Sequence, residues 1–339
     1  MLFGIKMKRT KGNIGWTMLL VALLLSATVC MLTACSSDDT NTTSSPTNNP
    51  SEIRMNANVW QVMEGTRATI INPGAVNGRF MVYAYYSTTT ENYINGEIVN
   101  YSGGVSSWVN SQFWPKDRRS LDFFAYMPTD LANTYCSFDY TAYDAESNSD
   151  GYSAGNPRVV CTNLPMTYDS SSPTDGQGSS LQELVYAVKT GQSEASNSAG
   201  VELTFKRPFA RITMQLSSAQ EDIHINSITF KGINNNGSCS FDGSTSTWTL
   251  SGDAADFVAT LNGNNYQAND VIGTFIMIPQ GWAGEIEVNA DWTVWGVNGT
   301  HTVTATVPTT WQPGYSYTYT FTISETDLKV DTEKFTEQW

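Results

Sequence analysis

Residues 285–294, E-I-E-V-N-A-D-W-T-V, place Ile286, Val288, Ala290, Trp292 and Val294 at alternate positions, with Glu287, Asn289, Asp291 and Thr293 between them. Successive side chains of an extended chain point to opposite faces, so this run separates apolar from polar residues only as a β-strand. A second alternation follows, with Val303, Ala305 and Val307 set against Thr302, Thr304 and Thr306. Asn298-Gly299 lies between the two runs, and that dipeptide suits the positive φ angles of a tight two-residue turn. The stretch therefore predicts a β-hairpin turning at Asn298-Gly299. Further on, Tyr315, Tyr317, Tyr319, Phe321 and Ile323 share one face, while Ser316, Thr318, Thr320 and Thr322 share the other. Strands with one apolar and one wet face are those of a β-sandwich.

Working outward, Arg79–Tyr86 and Leu121–Tyr126 read as buried strands by length and aromatic content, the second stopped by Pro128. Ile53 to Val62 follows the polar N-terminal stretch. Between Ser137 and Asp175 the chain is rich in Asp, Ser, Asn and Gly and reads as surface loop, apart from the patch Val159-Val160-Cys161. Within it, Glu146-Ser147-Asn148-Ser149-Asp150-Gly151 resembles half of a calcium loop, but Pro157 stands where the bidentate glutamate belongs, so a solvated turn is expected. Leu181, Leu184, Val185 and Val188 have helical spacing behind a possible capping box of Ser180 and Glu183; helix and short strand both remain open there.

Charged residues are only 15% and aromatic residues 12% of the 339, which suits an all-β extracellular protein. The N-terminus reads as an export signal over residues 1–34: Lys6, Lys8, Arg9 and Lys11, no acid, then an apolar run from Trp16 to Leu25 and on to Leu32. Leu32-Thr33-Ala34-Cys35 resembles the lipobox of bacterial lipoproteins, which implies cleavage before Cys35 and lipidation of its sulfur; the alternative is an ordinary secretory signal with an incidental cysteine. Ser36-Ser37-Asp38-Asp39 is similar to the acidic tag of surface-exposed lipoproteins of the Bacteroidota, which implies the outer face of an outer membrane. Residues 35–52, without a large apolar side chain after Cys35, read as a disordered tether.

Without the four leader cations, 14 basic residues face 32 acidic ones, a net charge of −18. Such a chain lacks the clustered Lys and Arg that bind phosphate backbones, so nucleic acid is excluded as a partner. Beyond Cys35 the cysteines are Cys136, Cys161 and Cys239, which allow at most one bridge, expected between Cys136 and Cys161. His224 and His301 stand alone, without metal-ligand spacing, so no metal or cofactor is expected. No nucleophile and base pair is recognisable, and Glu285 and Glu287 lie on a solvated strand face where neither carboxyl would be tuned as an acid, so an enzyme is not expected. Ten tryptophans raise a different possibility. Trp295 beside the hairpin turn, with Trp282 and Trp311 on loops, forms a possible platform for surface glycans; the competing reading is that such large aromatics belong to the core.

Taken in order, these pieces resemble the fimbrillin family of Bacteroidota type V pili. They are the lipobox and acidic tag, Gly65-Thr66-Arg67-Ala68 before a strand, Asp122-Phe123-Phe124-Ala125-Tyr126-Met127-Pro128, Leu184-Val185-Tyr186-Ala187, Val201 to Ile212, Ile228 to Ile233, the tyrosine-rich strand and Trp339. One position departs from the family, which usually carries histidine where this chain has Arg207. The resemblance implies two transthyretin-like β-sandwich domains in tandem, over residues 53–200 and 201–339. It also implies a fimbrial subunit of shaft, accessory or anchor type with an adhesion role, partnered by other pilin subunits, by the outer membrane through its lipid, and by a host or bacterial surface glycan or protein. In the family, cleavage after an arginine releases the preceding strand and the open groove accepts a strand of the next subunit. Arg67 matches that arginine, Ile53–Val62 the departing strand, and about Asp327 to Trp339 the donor. Arg67 as an ordinary loop residue, and the C-terminus as a solvated tail or a strand within its own domain, are the alternatives.

Overall fold

The computed structural model describes residues 50–59, 78–89, 91–102, 104–139, 157–171, 176–177, 181–219, 224–241, 246–264, 266–294, 297–323 and 328–335. The chain is all-β. The first sheet has the order β4-β3-β2-β5-β9, built from β2 (Gly78–Tyr86), β3 (Asn92–Ser102), β4 (Val105–Trp108), β5 (Leu121–Met127) and β9 (Val185–Gln192), with every neighbour antiparallel. Every residue of β5 is buried, the mark of a central strand covered on both faces. Leu121, Phe123, Ala125 and Met127 point into one core, and Phe124 and Tyr126 into the opposite side. Asp122, also buried, accepts hydrogen bonds from the Ser87 hydroxyl (2.6 Å) and the Gly191 amide (2.6 Å). Covering the first of those faces is a parallel pair, β1 (Met55–Val59) on β10 (Val201–Phe205).

A second sandwich packs sheet β16-β11-β21-β22 against sheet β19-β18-β12-β15-β8. The first of these holds β11 (Ala210–Ala219), β16 (Val271–Met277), β21 (Ser316–Ile323) and β22 (Leu328–Phe335). The second holds β8 (Thr167–Asp169), β12 (His224–Ile233), β15 (Ala255–Asn264), β18 (Glu285–Val294) and β19 (Val297–Thr306). Tyr317, Tyr319, Phe321 and Ile323 all face this core, as the alternation in β21 requires. A third sheet, β14-β13-β7-β6, consists of β6 (Cys136–Asp139), β7 (Arg158–Cys161), β13 (Asn236–Phe241) and β14 (Ser246–Ser251). Its core joins Val159, Cys161, Cys239 and Phe241 to Tyr126 and Tyr186 of the first sheet and Ile276 of β16. A short ribbon, β17 (Gly281–Trp282) with β20 (Thr309–Thr310), completes the strands.

Several expectations need correction. The hairpin exists, but its ladder runs from Glu285↔Thr306 to Val294↔Val297, with Thr293↔Asn298 and Trp292↔Gly299 inside it. Asn298 and Gly299 are strand residues, paired with Thr293 and Trp292. Residues 185–192 are a strand, which settles the open choice between helix and strand. The excursion from Ser137 to Asp175 carries three short strands, β6, β7 and β8. Cys136, Cys161 and Cys239 are free thiols, so the expected bridge is not formed here. The sheets also do not divide at residue 200. β10 pairs with β1, while β7 and β8 pair with β13 and β15 on the other side of that position. Residues 48–339 form one unit. The tether ends before residue 52, because Ser51 is already bonded to Glu194 and Glu52 bridges Phe113. The leader 1–34, Cys35 and the segment Glu146–Gly151 lie outside the described residues.

Candidate functional site

The N-terminal strand is the element whose seating the sequence makes most specific. Ile53, Met55 and Ala57 are 1%, 1% and 5% exposed, whereas Arg54 is exposed and Asn56 half-buried. The three apolar side chains enter the core of the first sandwich, among Phe80, Val82, Trp108, Val201, Leu203 and Phe205. Burying a side chain the size of Ile or Met contributes about 1.5–3 kcal/mol, so two such residues and an alanine hold the strand firmly but not irreversibly.

Backbone pairing supplies the register: Met55↔Val201, Asn56↔Glu202, Ala57↔Leu203, Asn58↔Thr204 and Val59↔Phe205. The Val201 amide donates to the Arg54 carbonyl at 2.8 Å. On the other flank the contacts come mostly from side chains and loop. Trp108 Nε1 donates to the Ile53 carbonyl (2.6 Å), the Met55 amide to Ser106 Oγ (3.0 Å), and the Ile53 amide to the Gln112 carbonyl (2.8 Å). Ahead of the strand, Glu194 Oε1 accepts from both the Ser51 amide (2.9 Å) and the Ser51 hydroxyl (2.6 Å). These two bonds hold the Glu194 carboxyl below its ordinary pKa. Gly200, at φ +113°, lets the chain approach β1 closely; a Cβ there would stand 3.2 Å from the Arg54 carbonyl oxygen. Removal of β1 thus leaves one strand edge, that of β10, above an apolar groove.

At the other end of the chain, β22 is the outer strand of its own sheet, antiparallel to β21 from Leu328↔Ile323 to Phe335↔Ser316. Of the readings open for the C-terminus, the structure takes the strand within its own domain. Leu328 is buried and Val330 partly so, while Lys329, Asp331 and Glu333 face solvent.

Two of the three residues of the candidate glycan platform are buried. Trp282 and Trp311 are 5% and 2% exposed and stacked on each other, ring centroids 5.1 Å apart at 29°. Their indole N–H groups are spent inside the protein, on the Lys231 carbonyl (2.6 Å) and the Tyr319 hydroxyl (2.9 Å). These rings have no free face for a sugar. Trp295 lies outside the described residues, and so does Arg67.

Arg207, the position that departs from the family pattern, is buried with Glu183: Nε to Oε1 is 2.7 Å, and the side chains are 2% and 0% exposed. It follows directly on Lys206, whose amide and carbonyl pair with Tyr186 of β9, so the ion pair sits where β10 leaves the first sandwich. Among the described residues no three His, Cys, Asp or Glu side chains could hold a metal ion, and no helix is long and apolar enough to cross a membrane. The residues that sequence reasoning missed are Ser51, Ser106, Trp108, Glu194 and Gly200. Ser106 and Trp108 bond to Met55 and Ile53 across 51 and 55 positions, Gly200 lies against Arg54, and Glu194 bonds to Ser51 across 143 positions, so no local pattern announces them.

The fimbrillin-like family profile matches residues 66–339. The chain belongs to the fimbrillin-like family. Among solved structures, this fimbrillin-like chain is similar to a fimbrial protein from Bacteroides vulgatus, at 15% identity and a TM-score of 0.53, over 84% of this chain and 100% of that one. A candidate cell adhesion protein from Bacteroides ovatus matches at 14% identity and TM-score 0.48, over 86% and 98%. The tip fimbrial protein Mfa3 from Porphyromonas gingivalis, truncated at its C-terminus, matches at 10% and 0.41, over 85% and 100%. The likeness to the Bacteroides vulgatus protein is one of fold. No curated protein matches the sequence.

Proposed function

We propose that this fimbrillin-like chain is a structural subunit of a cell-surface fimbria, with an adhesion role, and that its copies join by strand exchange. The observation that carries this reading is the seating of β1. Three alternate apolar side chains fill a groove whose full backbone partner, among the described residues, is one strand, β10. Cleavage after Arg67, between β1 and β2 in the sequence, would free β1 from the rest of the chain. The open edge then offers backbone donors and acceptors for affinity and side-chain pockets for register, the two requirements of strand addition. The incoming strand is the C-terminal segment of a second copy, once released from its pairing with β21 in that copy. Its support is its position at a sheet edge and its pattern, Leu328 and Val330 inward against Lys329 and Asp331 outward. Contact of this kind between unlike surfaces does not close on itself, so it extends into a filament. Export by residues 1–34 and a lipid on Cys35 would hold an uncut copy at the outer membrane as an anchor.

The test is intact mass and electron microscopy of the full chain, exported and purified, before and after limited digestion with an arginine-specific protease. Cleavage after Arg67, loss of the N-terminal strand and growth of ladders is the expected result, and Arg67→Ala should abolish all three. Resistance at Arg67, or cutting there without assembly, overturns strand exchange.

A further inference from the structure

Three thiols lie on one face of the third sheet. Cys136 of β6 is directly opposite Cys161 of β7, and Cys239 of β13 is opposite Val159, two residues along β7 from Cys161. The face they share looks into the core that joins this sheet to the first one. The three differ in access: Cys136 is half-buried, whereas Cys161 and Cys239 are buried.

The pairing of Cys136 with Cys161 is of a particular kind. The Thr162 amide donates to the Tyr135 carbonyl at 2.9 Å, so Tyr135 and Thr162 are a hydrogen-bonded pair. Antiparallel ladders alternate, and the next pair inward, Cys136 and Cys161, is therefore a non-hydrogen-bonded one. Such pairs bring Cα atoms to about 4.5 Å with side chains closest, inside the roughly 4.4–6.8 Å that a disulfide spans. Cys239, diagonal to Cys161, is placed less favourably.

We propose that Cys136 and Cys161 are an oxidisable pair that closes into a cross-strand disulfide and pins the edge strand β6 to β7. The oxidant is a small-molecule or protein disulfide. The Cys136 thiolate attacks one of its sulfurs, forming a mixed disulfide and releasing the first thiol. Cys161, having lost its proton, then attacks the Cys136 sulfur and expels the second thiol, so two protein thiols become one disulfide while the oxidant is reduced to two thiols. The Cys136 thiol is pushed well above its usual pKa, first by its hydrogen bond with Cys161 and then by burial. Its thiolate is scarce at neutral pH, so closure is slow unless catalysed. Cys239, pushed up to about 12 by burial, behaves as a small apolar side chain.

The experiment incubates the full chain with oxidised glutathione, with and without a dithiol oxidoreductase, then blocks free thiols and maps the peptides by mass spectrometry. The expected product is a Cys136–Cys161 peptide pair lighter by two hydrogen atoms, with a rise in Tm of roughly 5 °C. Cys239→Ser should still form it. Cys136→Ser, a change at a half-buried site that leaves the buried thiols in place, should not form it and should show no rise. A Cys161–Cys239 bridge, a mixed disulfide that stops at Cys136, or no reaction of the folded chain with the oxidoreductase present would each overturn the proposal.

Discussion

Arg207 and Glu183 show how much of a buried charge's effect depends on its neighbours. Each is sealed from water, so removing one leaves the other's charge buried without this contact, a cost of up to about 3–5 kcal/mol. The two losses are not equivalent, because the Glu183 carboxylate also acts on Arg211, whose guanidinium burial holds below its usual pKa. Arg207→Met leaves Glu183 beside one arginine, whereas Glu183→Leu leaves two guanidiniums without their common anion. Both variants should be destabilised in urea denaturation, with Glu183→Leu the worse of the two; the reverse order would remove Arg211 from the account. From the sequence Arg207 is visible as an oddity, but its partner reads as part of a possible helix cap. A charge pair spanning 24 residues leaves no trace in local spacing.

At the scale of elements, alternation was legible and pairing was not. The hairpin shows the limit. Turning at Asn298-Gly299 keeps every residue of β18 and β19 on the same face as the observed register, so the apolar pattern does not choose between them. Proline does. A turn at Asn298-Gly299 would set Pro308 opposite Asn289, inside the ladder, where it has no N–H to give. The observed register ends at Glu285↔Thr306, just short of Pro308. For β1 the missing knowledge was likewise its partners, and one of them makes its seating depend on pH. The Glu194 carboxyl is depressed in the folded protein by its bonds from Ser51. A depressed acid contributes stability above its unfolded pKa and loses it as the pH falls through the folded value. Glu194→Gln should therefore loosen residues 51–57 at neutral pH, measured as faster amide exchange or easier proteolysis. The difference from the parent should disappear in acid, once Glu194 itself is protonated. A difference that persists there would mean that the charge on Glu194 is not what secures Ser51.

For the whole molecule, composition and alternation correctly indicated an all-β chain built from sandwiches, and the ordered family motifs pointed to fimbrillins. The boundary at residue 200 came with the family resemblance and not from any pattern in the residues, and strands pair across that position in both directions. Residues 201–339 alone would lack β7 and β8, and residues 48–200 would lack β10. Neither fragment should unfold cooperatively by calorimetry or circular dichroism, whereas the full chain should melt in a single transition. Two independent transitions in the full chain would show that the two domains unfold separately.

The seat of β1 also has a mechanical side. A strand lying along β10 meets a force pulled along its own axis with all its backbone bonds in shear, so they carry the load together and fail together. Peeled from one end, the same strand yields one bond at a time. A fibre whose joints occupy this groove, loaded lengthwise, would be strong under the drag of flowing liquid yet simple to dismantle from a free end.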